Sequence, residues 1–168
     1  PHLLIAPYVR REAVLSSRIE GTTTSLAELL MEEVAEGATQ HDPDDVREVR
    51  NCVTALEYGM TRLRTLPLSL RLVRELHARL MKGVRGEHAT PGEFRRSQNW
   101  IGAPRSTPET AVYVPPPPEH LMETLGAWEK FLHARGRMPD LVQCALMHEQ
   151  FEAIHPFLDG NGRIGRLL

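Results

Sequence analysis

The sequence predicts an all-α fold, a helical bundle carrying one small β-hairpin, and three observations support this. Apolar residues recur at intervals of three and four through most of the chain, the period of helices with one buried face. Strand-like patterning is confined to residues 91–118. The composition, 41% hydrophobic and 25% charged over 168 residues, is that of a soluble globular domain long enough to bury a core.

In chain order, the first helical segment is RREAVLSSRI, residues 10–19, stopped by Gly21 and three threonines. The next opens at HDPDD and places Val46, Val49, Val53, Leu56, Met60 and Leu63 on one face. LSLRLVRELHARLM follows, with Leu70, Val73, Leu76, Leu80 and Met81 on one side and arginines on the other. HLMETLGAWEKFLHAR is closed by Gly136. DLVQCALMHEQFEAI, after Pro139, is apolar on most sides, so it is expected at the centre of the domain. Between the third and fourth helices, PGEFRRSQNWIGAPRSTPETAVYVPPPP holds two strand-like pieces, around Trp100 and in AVYV. Pro, Ser and Thr join them, as in a hairpin.

Several function classes drop out. No apolar run approaches the ~20 residues of a membrane span, so no membrane partner is expected. A net charge of -2 argues neither for nor against nucleic acid. Cys52 and Cys144, inside helix-like segments, are expected as buried free thiols of a cytoplasmic protein rather than a disulfide. The chain opens on PHLLIAPYV, without an initiator Met or the layout of a secretory signal, and stops at Leu168 just after a helix begins. A fragment of a longer protein is expected.

Chemistry concentrates in HPFLDGNGRIGR, residues 155–166. Gly160, Asn161 and Gly162 follow one helix and open another, an arrangement whose backbone N–H groups can form an anion site. Arg163 and Arg166, three apart, fall on one helical face and suit a polyphosphate. Asp159 can hold Mg²⁺ against phosphates, and His155 is placed as a general base. Each piece alone has a plainer explanation. DGNG is a common turn, and a single histidine is more often structural. An EF-hand fails on the spacing of its acidic residues, and a zincin fails because Glu152 stands where the second histidine would be. The joint occurrence decides.

That combination resembles the signature of the Fic family, His-x-Phe-x-(Asp/Glu)-Gly-Asn-Gly-Arg-x-x-Arg, and His155, Phe157, Asp159, Gly160, Asn161, Gly162, Arg163 and Arg166 match every defined position. GEFRRSQNWIG with VYVPPPP is similar to the family's flap, and REAVLSSRIEGT to the segment preceding its core. The resemblance implies the Fic fold, with the hairpin as a flap beside the active-site loop. It implies an N-terminal segment over 1–40, with an inhibitory helix at about 11–21, and a core over 41–168 cut just after the motif. The implied activity is transfer of AMP from ATP to a Ser, Thr or Tyr hydroxyl of a target protein, releasing pyrophosphate.

Carried onto this sequence, His155 would take the hydroxyl proton and Asp159 would hold Mg²⁺ between α- and β-phosphates. Gly160, Asn161 and Gly162 would form the anion hole, with Arg163 and Arg166 on the phosphates, Arg166 at the γ position. Phe157 would anchor the loop. Ser16, Glu20 and Gly21 match the family's inhibitory motif (Ser/Thr)-x-x-x-Glu-(Gly/Asn), which implies a Glu20–Arg166 pair in the place of the γ-phosphate. Ser17 to Glu20 also reads as a capping box, but the helix upstream would end, not begin, there. Trp100, Ile101, Val112, Tyr113 and Val114 are the flap candidates, pairing with an extended target segment by β-augmentation. Transfer of another group such as UMP or phosphocholine, removal of AMP, and a nucleotide sensor joined to a C-terminal DNA-binding module stay open. So does a homodimer.

Overall fold

The computed structural model describes residues 2–35, 43–86, 88–134, 136 and 138–168, and the backbone alone of residues 2 and 3. These residues form α1 (His2–Ile19), α2 (Leu26–Val34), α3 (Pro43–Arg62), α4 (Leu70–Leu80), α5 (Pro118–His133), α6 (Asp140–Ile154) and α7 (Asn161–Leu167). No helix among the described residues is long and apolar enough to cross a membrane. The expected boundary at 40–41, and the His41 and Asp42 that open the HDPDD segment, lie outside the described residues.

The core is shared by every helix. Val9, Ala13 and Val14 of α1, Leu29 of α2, Val49, Cys52, Val53 and Ala55 of α3, and Leu72, Val73, Leu76 and Leu80 of α4 form one cluster. Leu121, Leu125, Trp128 and Leu132 of α5 extend it to Phe151 and Ile154 of α6, Phe157 of the following loop and Ile164 of α7. Each fully buried Leu or Phe contributes about 1.5–3 kcal/mol over its exposed state.

α1 ends at Ile19, and Gly21 follows in the left-handed region at φ +94°. Ser17 therefore sits inside a helix, and no capping box links it to Glu20. The capping box lies eight residues on. Ser25 Oγ accepts from Glu28 N–H at 3.3 Å, and Glu28 Oε2 accepts from Ser25 N–H at 2.6 Å, opening α2. The apolar periodicity of the sequence does not predict α2.

Three expectations are corrected. α6 is not central: Leu141 is 85% exposed and Val142 and Leu146 are also exposed, because among the described helices α6 packs mainly against α5 and α7. Cys144, on that outer side, is exposed, whereas Cys52 is buried. Burial, partly offset by Arg166, pushes the Cys52 thiol up to about 11. The hairpin reduces to one antiparallel bridge, Ile101 to Tyr113, with Ile101 N–H donating to Tyr113 O at 2.8 Å. Pro104, Pro108 and the run Pro115–Pro118 supply no N–H and fix φ, so a ladder cannot propagate.

Candidate active site

The site is built on the turn between α6 and α7. His155 caps α6 in the left-handed conformation, φ 49° and ψ 59°, with its N–H on Phe151 O at 3.0 Å. That reversal drives Phe157 into the core, where it stacks on His77 with ring centroids 3.7 Å apart and planes 2° from parallel. Asn161 closes the loop from below: its Oδ1 accepts from Phe157 N–H and its Nδ2 donates to Phe157 O, both at 2.8 Å. Asn161's side chain thus shapes the loop, leaving its backbone N–H at the start of α7, before the first intrahelical bond from Ile164 N–H to Gly160 O.

Glycines at two points are required by space. Gly160 sits at φ +75°, and a Cβ there would meet Met81 Sδ at 2.6 Å. A Cβ on Gly86, at φ +85°, would fall 2.0 Å from Asp159 Oδ2. The Asp159 carboxylate thus lies against bare backbone, half exposed, with Oδ1 accepting from Gly160 N–H at 2.6 Å and 3.7 Å from Arg163 Nη2.

The two arginines of α7 have different anchors. Arg163 is buried, with Nη1 3.5 Å from Glu48 Oε2 on α3 and without a hydrogen bond of its own. Glu48, also buried, accepts from Arg85 Nε at 3.0 Å. Arg166 turns to α1: Nη2 lies 2.6 Å from Glu20 Oε1, Nε donates to Ser16 Oγ at 2.8 Å, and Nη2 also donates to Ser16 O at 3.3 Å. Gly162 leaves room for that pair, since its Cβ would fall 3.1 Å from Glu20 Oε1. The chain thus brings residues 16, 20 and 166 into one cluster from opposite ends of the sequence.

His155 is half buried, and desolvation by burial holds its imidazole below the ordinary range. A carbonyl can only accept, so Nδ1 carries the proton it donates to Glu152 O at 3.3 Å. The neutral ring then keeps Nε2 as a free base. Its carbonyl accepts from Arg95 Nε at 2.9 Å and Asn99 Nδ2 at 3.2 Å.

The flap lies over the C-terminus of α6, where Tyr113 Oη donates to Ala153 O at 3.0 Å. Trp100, Ile101, Val112, Tyr113 and Val114 are all exposed. Residues outside the motif also hold the loop. His77 is the clearest: Gly92 N–H donates to Nδ1 at 2.8 Å, so Nε2 carries the proton and donates to Asp159 O at 2.9 Å. Burial lowers its pKa to about 4. Its signal was available, since His77 falls in register with Val73 and Leu80 on the buried face of α4.

Known proteins are similar to this chain in sequence and fold. Residues 67–168 match the model of the Fic/DOC family, and residues 1–61 that of the Fic/DOC family N-terminal region. The protein adenylyltransferase Fic of Drosophila ananassae is 30% identical over 154 residues, covering 89% of this chain and 29% of that protein. That of Drosophila virilis is 30% identical over 154 residues, covering 89% and 30%. The chain spans under a third of the length of these curated relatives. A Fic family protein from Desulfovibrio desulfuricans superposes with a TM-score of 0.72 at 26% identity, covering 99% of this chain and 49% of that one. A Fic domain containing signaling protein from Bacteroides thetaiotaomicron gives 0.77 at 23% identity, covering 97% and 60%, a likeness of fold. Because the family match runs unbroken from before α4 through the His155 loop to α7, more than half of its length, the chain belongs to the Fic/DOC family.

Proposed function

We propose that the chain carries the transfer site of a protein adenylyltransferase, moving AMP from ATP to a Ser, Thr or Tyr hydroxyl of a target protein. The observation that carries this reading is the neutral His155 ring with a free Nε2, one tight turn before the two arginines of α7. The relatives named protein adenylyltransferase Fic support it. The target hydroxyl oxygen attacks the α-phosphorus, its proton passes to His155 Nε2, and the bond to the bridging oxygen breaks to release pyrophosphate. Catalysis rests mainly on positioning and on charge stabilisation at phosphate oxygens.

The residues present suit the nucleotide and its metal. Arg163 Nη1, buried without a hydrogen bond, is a donor suited to a phosphate oxygen. Asp159 offers one half-exposed carboxylate, and Mg²⁺ commonly takes one or two carboxylates with the remainder from phosphates and water. Once bound there, the ion would neutralise charge on the phosphates. Gly160, Asn161 and Gly162 would offer backbone N–H groups to the same oxygens. Glu20 holds Arg166 in the resting state and keeps it from the γ-phosphate, which makes the site self-restrained. The exposed edge at Val112 and Val114 would receive an extended target segment.

Incubation with α-³²P-labelled ATP and Mg²⁺ tests the proposal. Labelled protein is expected with ATP and not in His155→Ala, which should retain nucleotide binding. Label from UTP but not from ATP, or undiminished label in His155→Ala, would refute it.

A further inference from the structure

Arg95 is a buried basic side chain that the transfer reading leaves unused. It is 3% exposed at the start of the flap, and among the described residues no carboxylate pairs with it. Every acceptor it finds among the described residues is a backbone carbonyl. Nε donates to His155 O at 2.9 Å, Nη1 to Ser97 O at 3.2 Å, and Nη2 to Pro116 O at 2.5 Å and to Ile154 O at 3.4 Å. Its own N–H donates to Pro156 O at 2.9 Å. One guanidinium therefore ties together the entry to the flap, its exit, the last residue of α6 and the cap that follows.

Asn99 reinforces the same point from four residues further along the flap. Its Nδ2 donates to His155 O at 3.2 Å and to Phe157 O at 2.9 Å. The carbonyl of His155 thus accepts from two side chains, and His155 is the residue held in a left-handed conformation that L side chains avoid. A charged group taken out of water without a counter-ion is costly, and a planar fork of five donors is what several carbonyls converging on one point require. Arg96, next in the chain, is almost fully exposed, with Nη2 3.5 Å from Glu93 Oε2.

We propose that Arg95, with Asn99, is a positioning residue for transfer: it fixes the backbone of His155 so that the ring faces the nucleotide, and it ties that orientation to both ends of the flap. This rests on His155 acting as the base. A flap occupied by a target segment is then mechanically joined to the base it must meet, through Pro116, Arg95 and the His155 carbonyl.

The test uses the full chain in a Glu20→Gly background, comparing Arg95→Ala, Arg95→Lys and Asn99→Ala by AMP incorporation. The expected outcome is a kcat lowered about tenfold or more, because small misplacements of a reacting group are costly, while KM for ATP stays within about twofold. Guanidinium ion at millimolar concentration should restore part of the rate to Arg95→Ala but not to His155→Ala. Arg95→Lys should remain impaired, since an ammonium cannot reproduce the fork. Amide exchange read without nucleotide should accelerate at His155 and Phe157 and stay unchanged at Leu76 and Leu80. Asn99→Ala removes only two hydrogen bonds and serves in place of Arg95→Ala where the latter melts before assay. Unchanged kcat in an active parent, an equal loss at every amide, or undisturbed exchange at His155 and Phe157 would each overturn the proposal. A parent that transfers no AMP would refute the transferase reading, and the exchange data would still decide the clamp.

Discussion

Replacing Glu20 by glycine should raise transfer, and the size of the gain can be worked from the contacts. Glu20 meets Arg166 at 2.6 Å, with side chains 39% and 21% exposed. A hydrogen bond between charged groups is worth about 1.5–3 kcal/mol when shielded, but exposure of this order screens it toward about 1 kcal/mol. A release of about 1 kcal/mol corresponds to roughly fivefold. Two further contacts bound the effect, because Arg166 stays tethered to Ser16 Oγ and Ser16 O after Glu20 is gone. The backbone tolerates the change: Glu20 lies past the end of α1, in a turn that already uses Gly21 at φ +94°. Initial rates of labelled AMP incorporation in wild type, Glu20→Gly, Arg166→Ala and the double variant form the assay. Glu20→Gly should be faster by the stated factor, and in the Arg166→Ala background the same change should give almost nothing, a coupling that a double-mutant cycle reads directly. A Glu20→Gly rate at or below wild type, or equal gains in both backgrounds, would refute the reasoning.

Stability should fall on acidification through His77. Its folded pKa of about 4 lies below the unfolded value near 6.5, so the unfolded chain binds more protons between them. Stability is therefore complete above about 6.5 and declines as pH drops toward 4, by up to about 3 kcal/mol, with the lowered His155 adding in the same direction; thermal melts against pH check this, and a His77→Leu variant should flatten the slope. Gly86→Ala should cost about 1–3 kcal/mol and displace the Asp159 carboxylate, so calorimetry should find Mg²⁺-dependent ATP binding weakened; wild-type binding would disprove the tight packing at that point. Asp159→Ala should lose the same metal-dependent binding without the stability loss. Under native conditions a maleimide should modify Cys144 alone, with Cys52 reacting only after denaturation, as mass spectrometry would report.

The helices that carry the core were legible because their periodicity is local. α3, α4 and α5 follow the spacing of their valines and leucines. α2 is not legible from periodicity although its capping signal, Ser25 to Glu28, is in the sequence, because nine residues that bury Leu29 give too short a repeat. The misplacement of α6 has a different cause. Its residues Leu141, Val142 and Leu146 are apolar enough for a core, and hydrophobicity says nothing about whether a neighbour stands on that side. The motif residues were legible as a set, since few sequences place such groups in twelve positions. Their supports were not. Arg95 and Arg96 are adjacent and chemically identical, and only the fold buries one and exposes the other. Glu48 reaches Arg163 over 115 positions of chain, and Gly86 meets Asp159 over 73, pairings that no local pattern encodes.

The left-handed cap at position 155 has a consequence for how this protein responds to selection. Helix ends of that shape are where glycine is the preferred residue, and a side chain there costs about 1–2 kcal/mol. His155→Gly should therefore produce a more heat-resistant chain with no base, whereas His155→Ala keeps the strain and loses the ring. Robustness and chemistry reach their optima in different residues at one site. A library screened for thermal survival alone would enrich the glycine and discard the imidazole, so on the transfer reading proposed above the histidine is kept for its chemistry and against its contribution to stability.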